Sequence, residues 1–337
     1  MLYCPSSSFF LIYVDIMTDT PTLTLLDGAM GTELRHRGVK VPDYKSSIWS
    51  ALAMIDAPDV IKQIHKDYIA AGSDVITINN YAVTAKLLAR ENMESRLAEL
   101  TNKACEIAIA ARNESNDPAQ EARSIRIAGS LPPLNTSYRY DLVGSYEDNL
   151  RAYEEMAALL LPHVDILLCE TMSTVDEAKA AATAAALAIE RTGDGGRKQI
   201  GKKQIWMSWT LRPEGGALRN QQEVAEAIDA LSHLPIDAFM FNCCATDPVS
   251  STLPALRKLT EKPIGAYCNP VKSEPSGGEP MIASGTKLDA SEYADIALGW
   301  VASGVNMIGG CCDTNPEYIA AIKRGITLAS SGMDKKA

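Results

Sequence analysis

The chain has 337 residues, 46% of them hydrophobic, and carries 42 acidic against 32 basic side chains, for a formal charge of −10. That acidity argues against broad binding to nucleic acid or to an anionic membrane surface. The length admits one large α/β domain or two ordinary ones, and eight cysteines spread over an Ala-rich chain point to a reducing cytoplasm rather than a secreted disulfide scaffold.

Residues 1–20 read as an N-terminal extension. Its apolar run, 9–14, is cut short by Asp15, lacks a basic leader and is too short to span a bilayer, so residues 1–16 are expected to be disordered or a mis-assigned start. No other stretch reads as a transmembrane helix. The first strand, 22–26, runs into Asp27-Gly28-Ala29-Met30-Gly31, a turn signal, and then a loop through Pro42, Asp43 and Tyr44 to Ile48-Trp49-Ser50. Ala57-Pro58-Asp59 opens a helix that Gly72 ends. Strand two covers 74–79 and leads to Asn80-Tyr81, and an Ala-rich helix covers about 95–114, its polar tail at 113–119 being a loop. Strand three is 125–130, followed by a helix over 145–161. Strand four is 164–169, ending at Glu170-Thr171, with a helix over 175–189. The Gly- and Lys-rich run 191–203 reads as a surface insertion. Strands then alternate with helices at 204–210, 223–231, 238–242, 248–259, 263–268, 290–302, 305–309 and 316–325, with a long Gly/Pro-rich loop at 273–286.

Eight strand-then-helix units result, with strands that are short, continuous apolar runs, as expected when both faces are covered. Eight repeats predict a closed (β/α)8 TIM barrel in a single domain over 21–328, with a frayed tail at 329–337. No Gly-x-Gly-x-x-Gly follows a strand, so a dinucleotide fold gains no support. In a barrel of this kind the chemistry sits at the C-terminal ends of the strands, and Asp27, Asn79, Glu170, Cys243, Cys311 and Cys312 all fall there.

Two cysteine pairs stand out. Cys243-Cys244 closes an apolar strand, and Cys311-Cys312 follows Gly309-Gly310 at the end of another. A single strand cysteine is ordinarily core filling. Adjacent thiols after two glycines, which let the backbone approach something closely, read instead as a metal site. Zinc takes thiolates, and three protein ligands with one open position would leave room for a substrate thiol. Trp49 and Tyr81 either present their π faces to a cationic ligand or pack the barrel top. Trp209 reads as core or pocket wall, and the four histidines show no ligand spacing.

Leu26-Asp27-Gly28-Ala29-Met30-Gly31-Thr32-Glu33-Leu34, Phe241-Asn242-Cys243 and Gly309-Gly310-Cys311-Cys312 together resemble the homocysteine S-methyltransferase family, with support from Ile48-Trp49-Ser50 and from 71–77. That family includes S-methylmethionine-dependent and betaine-dependent enzymes and the homocysteine domain of cobalamin-dependent methionine synthase. The resemblance runs from about Leu25 to Ile322 and implies the same barrel. It further implies Zn2+ held by Cys243, Cys311 and Cys312, with Asp27, Gly28 and Glu170 holding the amino group and backbone of homocysteine. Cys244 is then a neighbour whose side chain points elsewhere. Ile78-Asn79-Asn80-Tyr81-Ala82 departs from the family pattern, so Asn79, Tyr81 and Trp49 enter as substrate-binding candidates without a fixed donor assignment. Cobalamin and folate domains and a C-terminal oligomerisation arm are not expected at this length.

The reaction implied is transfer of a methyl group from a sulfonium donor, S-methylmethionine or S-adenosylmethionine, to the thiol of L-homocysteine, giving methionine. Betaine, a dimethylsulfonio donor or another thiol acceptor stays open within the same chemistry. The readings of another class are a non-catalytic zinc-binding barrel and a metal-free barrel with core or redox-active cysteines. The expected partners are small molecules, with no nucleic acid and no membrane. The chain is expected in the cytoplasm, with a homo-oligomer left open.

Overall fold

Short strands that are apolar on both faces need cover from two sides, and the chain supplies it by closing them into a barrel inside a ring of helices. The computed structural model describes residues 23–43, 47–115, 124–192, 202–273 and 285–333. The barrel strands are β1 (Thr24–Leu25), β2 (Val75–Thr77), β3 (Arg126–Leu131), β4 (Ile166–Met172), β5 (Gln204–Trp209), β6 (Ala238–Asn242), β7 (Ile264–Cys268) and β8 (Met307–Gly310), and a separate antiparallel pair, Val271–Ser273 with Gly285–Lys287, brackets the segment expected as a long loop. The barrel strands form an 8-stranded sheet in the order β1-β8-β7-β6-β5-β4-β3-β2, with every pairing parallel. A parallel bridge between Leu26 and Val75 joins the two ends of that order. Asp74 reinforces the seam: its amide donates to the Leu25 carbonyl at 2.6 Å, and its carboxylate accepts from the Leu25 amide at 2.9 Å. The fold is the expected (β/α)8 barrel.

The outer ring consists of α1 (Pro58–Ala71), α2 (Leu97–Glu114), α3 (Tyr146–Leu160), α4 (Val175–Arg191), α5 (Val224–Ala230), α6 (Thr246–Leu259), α7 (Ala290–Ala302) and α8 (Pro316–Met333). Local chemistry sets their ends. Ser145 and Thr174 cap α3 and α4 with their hydroxyls, Asp289 and Glu292 form a capping box on α7, and Gly72 ends α1 at φ 116. Among the described residues, no helix is long and apolar enough to cross a membrane.

The barrel interior is layered by strand alternation. Leu26, Val75, Ala128, Ile166, Leu168, Trp206, Ala238, Met240 and Met307 form an apolar plug. One step further along the same inward series lie Thr77, Ser130, Glu170, Ser208 and Asn242, beside Tyr267 of β7. The C-terminal mouth is therefore floored with polar groups above a dry core. Trp209, on the opposite parity, faces outward, where it is fully buried and stacks on Phe239 at 5.7 Å.

Several details depart from the sequence reading. A helix at Gly31–His36 occupies the predicted turn and loop, and short helical turns run from Trp49 to Asp56. The last helix passes the predicted end at Gly325 and continues to Met333, into the segment expected to fray, where the Ser330 and Ser331 hydroxyls bond back to the carbonyls of Ile326 and Thr327. His65 lies within α1 and is fully buried without a hydrogen-bond partner among the described residues, and burial lowers its pKa to about 4. The 1–20 extension, Tyr44, and most of the 191–203 and 273–286 segments lie outside the described residues, as do the ends of the 113–119 loop and of the tail.

Gly309 and Gly310 are needed for close packing. A Cβ on Gly309 would lie 2.6 Å from Leu26 Cβ and 2.9 Å from the Asp27 carbonyl, and one on Gly310 only 2.1 Å from Thr314 Oγ1. Gly310→Ala is expected to lower stability by about 1–3 kcal/mol through overpacking, read as a fall in the unfolding midpoint.

Candidate active site

Three thiols converge at the mouth. The Sγ atoms of Cys243, Cys311 and Cys312 lie within 4.8 Å of one another, with Cys243 and Cys312 at 3.9 Å. Three thiolates around one tetrahedral ion at Zn–S distances of 2.3 Å would sit about 3.8 Å apart, so the trio fits a metal ion. Cys243 follows the last residue of β6 with φ 56, a left-handed conformation that turns its thiol back over the barrel. Cys311 and Cys312 follow β8, where the Cys311 amide donates to the Cys268 carbonyl at 2.9 Å. Among the three, Cys243 is held well below the ordinary thiol pKa by hydrogen bonds from Cys311 and Cys312, whose own values rise in return. Cys244 is not part of the trio: its Sγ bonds the Asn242 carbonyl at 3.2 Å.

Two carboxylates share the mouth. Asp27 is 7% exposed and accepts from the Thr77 amide at 2.7 Å and from the Thr77 hydroxyl at 3.3 Å. Burial pushes its pKa up to about 8 against those bonds, and the Glu170 charge adds to the rise. Glu170, equally buried, accepts from Ser130 Oγ at 2.5 Å and from the Tyr267 hydroxyl at 3.2 Å. Burial raises it to about 7, with a smaller contribution from Cys312. Among the described residues no cation pairs with either carboxylate, so the pair is suited to a cationic ligand.

The remaining sequence candidates surround this centre. Gly28 packs so tightly that a Cβ would sit 2.5 Å from the Thr314 carbonyl and 2.9 Å from the Tyr68 hydroxyl. Asn79 is buried, and its amide donates to the Ser50 carbonyl at 2.9 Å, which ties the β2 end to the Trp49 segment. Trp49 and Tyr81 are half-buried and meet edge to face at 6.4 Å, and the Tyr81 hydroxyl bonds Ser137 at 2.6 Å.

Five residues at the site escaped the sequence reading. The Tyr138 hydroxyl lies 2.7 Å from Cys243 Sγ, and the Arg219 guanidinium sits 4.8 Å over the Tyr138 ring. Both belong to loops between elements, where no periodicity marks them. Ser130 binds Glu170 from the neighbouring strand β3 and Tyr267 from β7 across the barrel, relations set by register and barrel closure and invisible in sequence spacing. Asn269, just past β7, is buried with neither side-chain carboxamide atom bonded among the described residues, the condition of a polar group that serves a ligand.

Fold and site together define a (β/α)8-barrel enzyme whose mouth pairs a metal-competent thiol cluster with a cation-receptive carboxylate pair. Comparison with known proteins narrows the class. The family profile described as homocysteine S-methyltransferase matches residues 24–326. A homocysteine S-methyltransferase of Escherichia coli K12 is 31% identical, over 91% of this chain and 96% of its own. Homocysteine S-methyltransferase YbgG of Bacillus subtilis 168 is 33% identical, over 90% and 94%. The crystal structure of the metallated homocysteine methyltransferase MmuM from Escherichia coli superimposes with a TM-score of 0.73 at 28% identity, covering 93% of this chain and 99% of that one. The chain belongs to the homocysteine S-methyltransferase family and is a methyltransferase.

Proposed function

We propose that the enzyme transfers a methyl group from a sulfonium donor, S-methylmethionine or S-adenosylmethionine, to the thiol of L-homocysteine, giving methionine. The observation that carries this reading is the meeting, at one barrel mouth, of three Sγ atoms within 4.8 Å and two buried carboxylates. Cys243, Cys311 and Cys312 would hold Zn2+, in keeping with zinc's preference for soft thiolate ligands. When bound, the ion supplies Lewis-acid activation of the substrate thiol, which would otherwise be mostly protonated near neutral pH.

The chain's own residues do the rest. Asp27 and Glu170, once ionised, hold the ammonium of homocysteine, and Ser130 and Tyr267 aim the Glu170 carboxylate. Gly28 lets the backbone beside Asp27 pack directly against Thr314 and Tyr68, which sets where the Asp27 carboxylate meets the amino acid. Trp49 and Tyr81 offer π faces to the donor's cationic centre. In the transfer, the donor's sulfur–methyl bond breaks as the new one forms on the homocysteine sulfur. The donor leaves as a neutral thioether and the thiol proton passes to solvent. Opposite charges combine, so a mouth floored by buried groups favours the step over water. A reducing cytoplasm, where we place the enzyme, keeps the thiols unoxidised.

A donor panel tests the substrate assignment. Methionine formation is expected with S-methylmethionine or S-adenosylmethionine and not with betaine. Turnover with betaine or a dimethylsulfonio compound alone would reassign the donor. No turnover with any donor by metal-loaded protein would favour a binding role.

The raised carboxylates also set a pH dependence. Below about 7 both Asp27 and Glu170 carry protons in the empty site, and an ammonium ligand must displace them. Homocysteine affinity is therefore expected to rise with pH through about 7 to 8, by up to about tenfold per unit for each proton released. Calorimetry across that range, in buffers of different ionisation enthalpy, measures both the affinity and the protons released. An affinity that falls over the same interval would contradict the ammonium assignment.

A further inference from the structure

The ladder between β4 and β5 slips between Cys169 and Met172: Cys169 pairs with Met207 and Met172 with Trp209, so Glu170 and Thr171 together face the single residue Ser208. Thr171 sits there at φ 61, a left-handed conformation costly for a β-branched residue. A bulge of this kind re-aims the side chains around it and leaves backbone groups outside the ladder. What satisfies them is one side chain of β6. Asn242 Oδ1 accepts from the Thr171 amide at 2.9 Å and from Ser208 Oγ at 2.7 Å, while Asn242 Nδ2 donates to Thr171 Oγ1 at 2.8 Å. Asn242, Thr171 and Ser208 are all wholly buried, so these bonds have no competition from water.

We infer that Asn242 is the positioning residue for Glu170. The inference rests on the homocysteine reading proposed above. The Thr171 amide belongs to the peptide unit that follows Glu170, so the Asn242 carboxamide fixes the backbone from which the Glu170 side chain departs. Ser130 and Tyr267 then hold the carboxylate from the other end. Without Asn242, Thr171 loses both side-chain bonds that hold it in the left-handed conformation, and the register slip can relax toward a regular strand. That relaxation would carry Glu170 away from Ser130 and from the ammonium position. An aspartate at position 242 would lose the Nδ2 donor and bring in a buried charge, and a leucine would satisfy none of the three bonds, so the carboxamide is the required group.

The test uses the full-length, metal-loaded protein and three substitutions: Asn242→Ser, the milder Thr171→Val, which removes only the acceptor for Nδ2, and Glu170→Gln. Homocysteine affinity is measured by calorimetry, metal content by elemental analysis, and exchange of the Thr171 amide by hydrogen–deuterium exchange. Asn242→Ser is expected to weaken homocysteine binding about 10- to 100-fold, the range for leaving buried partners unpaired, with faster Thr171 exchange and metal retained. Thr171→Val is expected to shift it in the same direction by about 3- to 10-fold, keeping the proposal testable if Asn242→Ser folds poorly. In a Glu170→Gln background, Asn242→Ser should add less than about threefold, because both act through one group. Unchanged homocysteine affinity in Asn242→Ser or Thr171→Val, with the wild type binding normally, overturns the proposal. So does a full additive loss in the double variant. A wild type that binds no homocysteine overturns the reading of the site itself, and this positioning role with it.

Discussion

Cys311→Ala is expected to give a folded barrel that retains little metal and has lost about a thousandfold or more in methyl transfer, because the nucleophile depends on metal activation. Cys311 is only half-buried and lies past the end of β8, packed against the apolar plug without being one of its buried members, so loss of its Sγ leaves the plug's own residues in place. The two remaining thiols, Cys243 and Cys312, still lie 3.9 Å apart but supply one ligand too few for a three-thiolate site. The check is metal per chain beside methionine formation, with the unfolding midpoint as control. Wild-type turnover in a variant without metal would remove the thiol cluster from the reaction. Cys244→Ala, whose Sγ bonds a backbone carbonyl outside the trio, serves as the comparison cysteine and is expected to keep its metal.

Glu170→Gln is expected to lower kcat/KM for homocysteine by about 10²-fold, mostly through KM, since truncating a buried partner of a charged group costs about 2–5 kcal/mol. Glutamine keeps the shape but has one acceptor oxygen where Glu170 uses both, so one of the Ser130 and Tyr267 hydroxyls must turn to accept from its NH2, and the main change is loss of the charge. The variant should also lose one proton's worth of the pH dependence that wild type shows near pH 7, because the group raised to about 7 by burial is gone. Steady-state kinetics over a homocysteine series, repeated across pH, reads both effects. A loss confined to kcat with unchanged KM would mean that Glu170 acts on the reacting sulfur rather than on the ammonium.

The parts of this account that sequence carries are those written in local pattern. Eight apolar runs separated by helical periodicity define the barrel, and Gly309-Gly310-Cys311-Cys312 announces itself because adjacent thiols after two glycines are hard to explain as filling. The glycines find their reason in the structure: they let β8 approach Leu26, the Asp27 carbonyl and Thr314. The Gly31–His36 helix is hidden by those same turn-like glycines, Gly28 and Gly31, with Gly31 lying beneath the Trp49 ring. What the pattern cannot show is register. Ser130 matters because of the strand beside it, Tyr267 and Asn242 because of a strand they reach across the barrel, and the slip at Thr171 has no sequence signature in a residue that ordinarily favours regular strands. Tyr138 is hidden differently, since its contact with Cys243 depends on how a long loop folds over the mouth.

The most direct measurement is methionine formation from homocysteine and a sulfonium donor by protein stripped of metal with a chelator, then reloaded with zinc. The account predicts loss of activity on stripping and its return at one zinc per chain, with no return in Cys311→Ala. Full turnover by the stripped wild type, or zinc uptake without any restored activity, would contradict it.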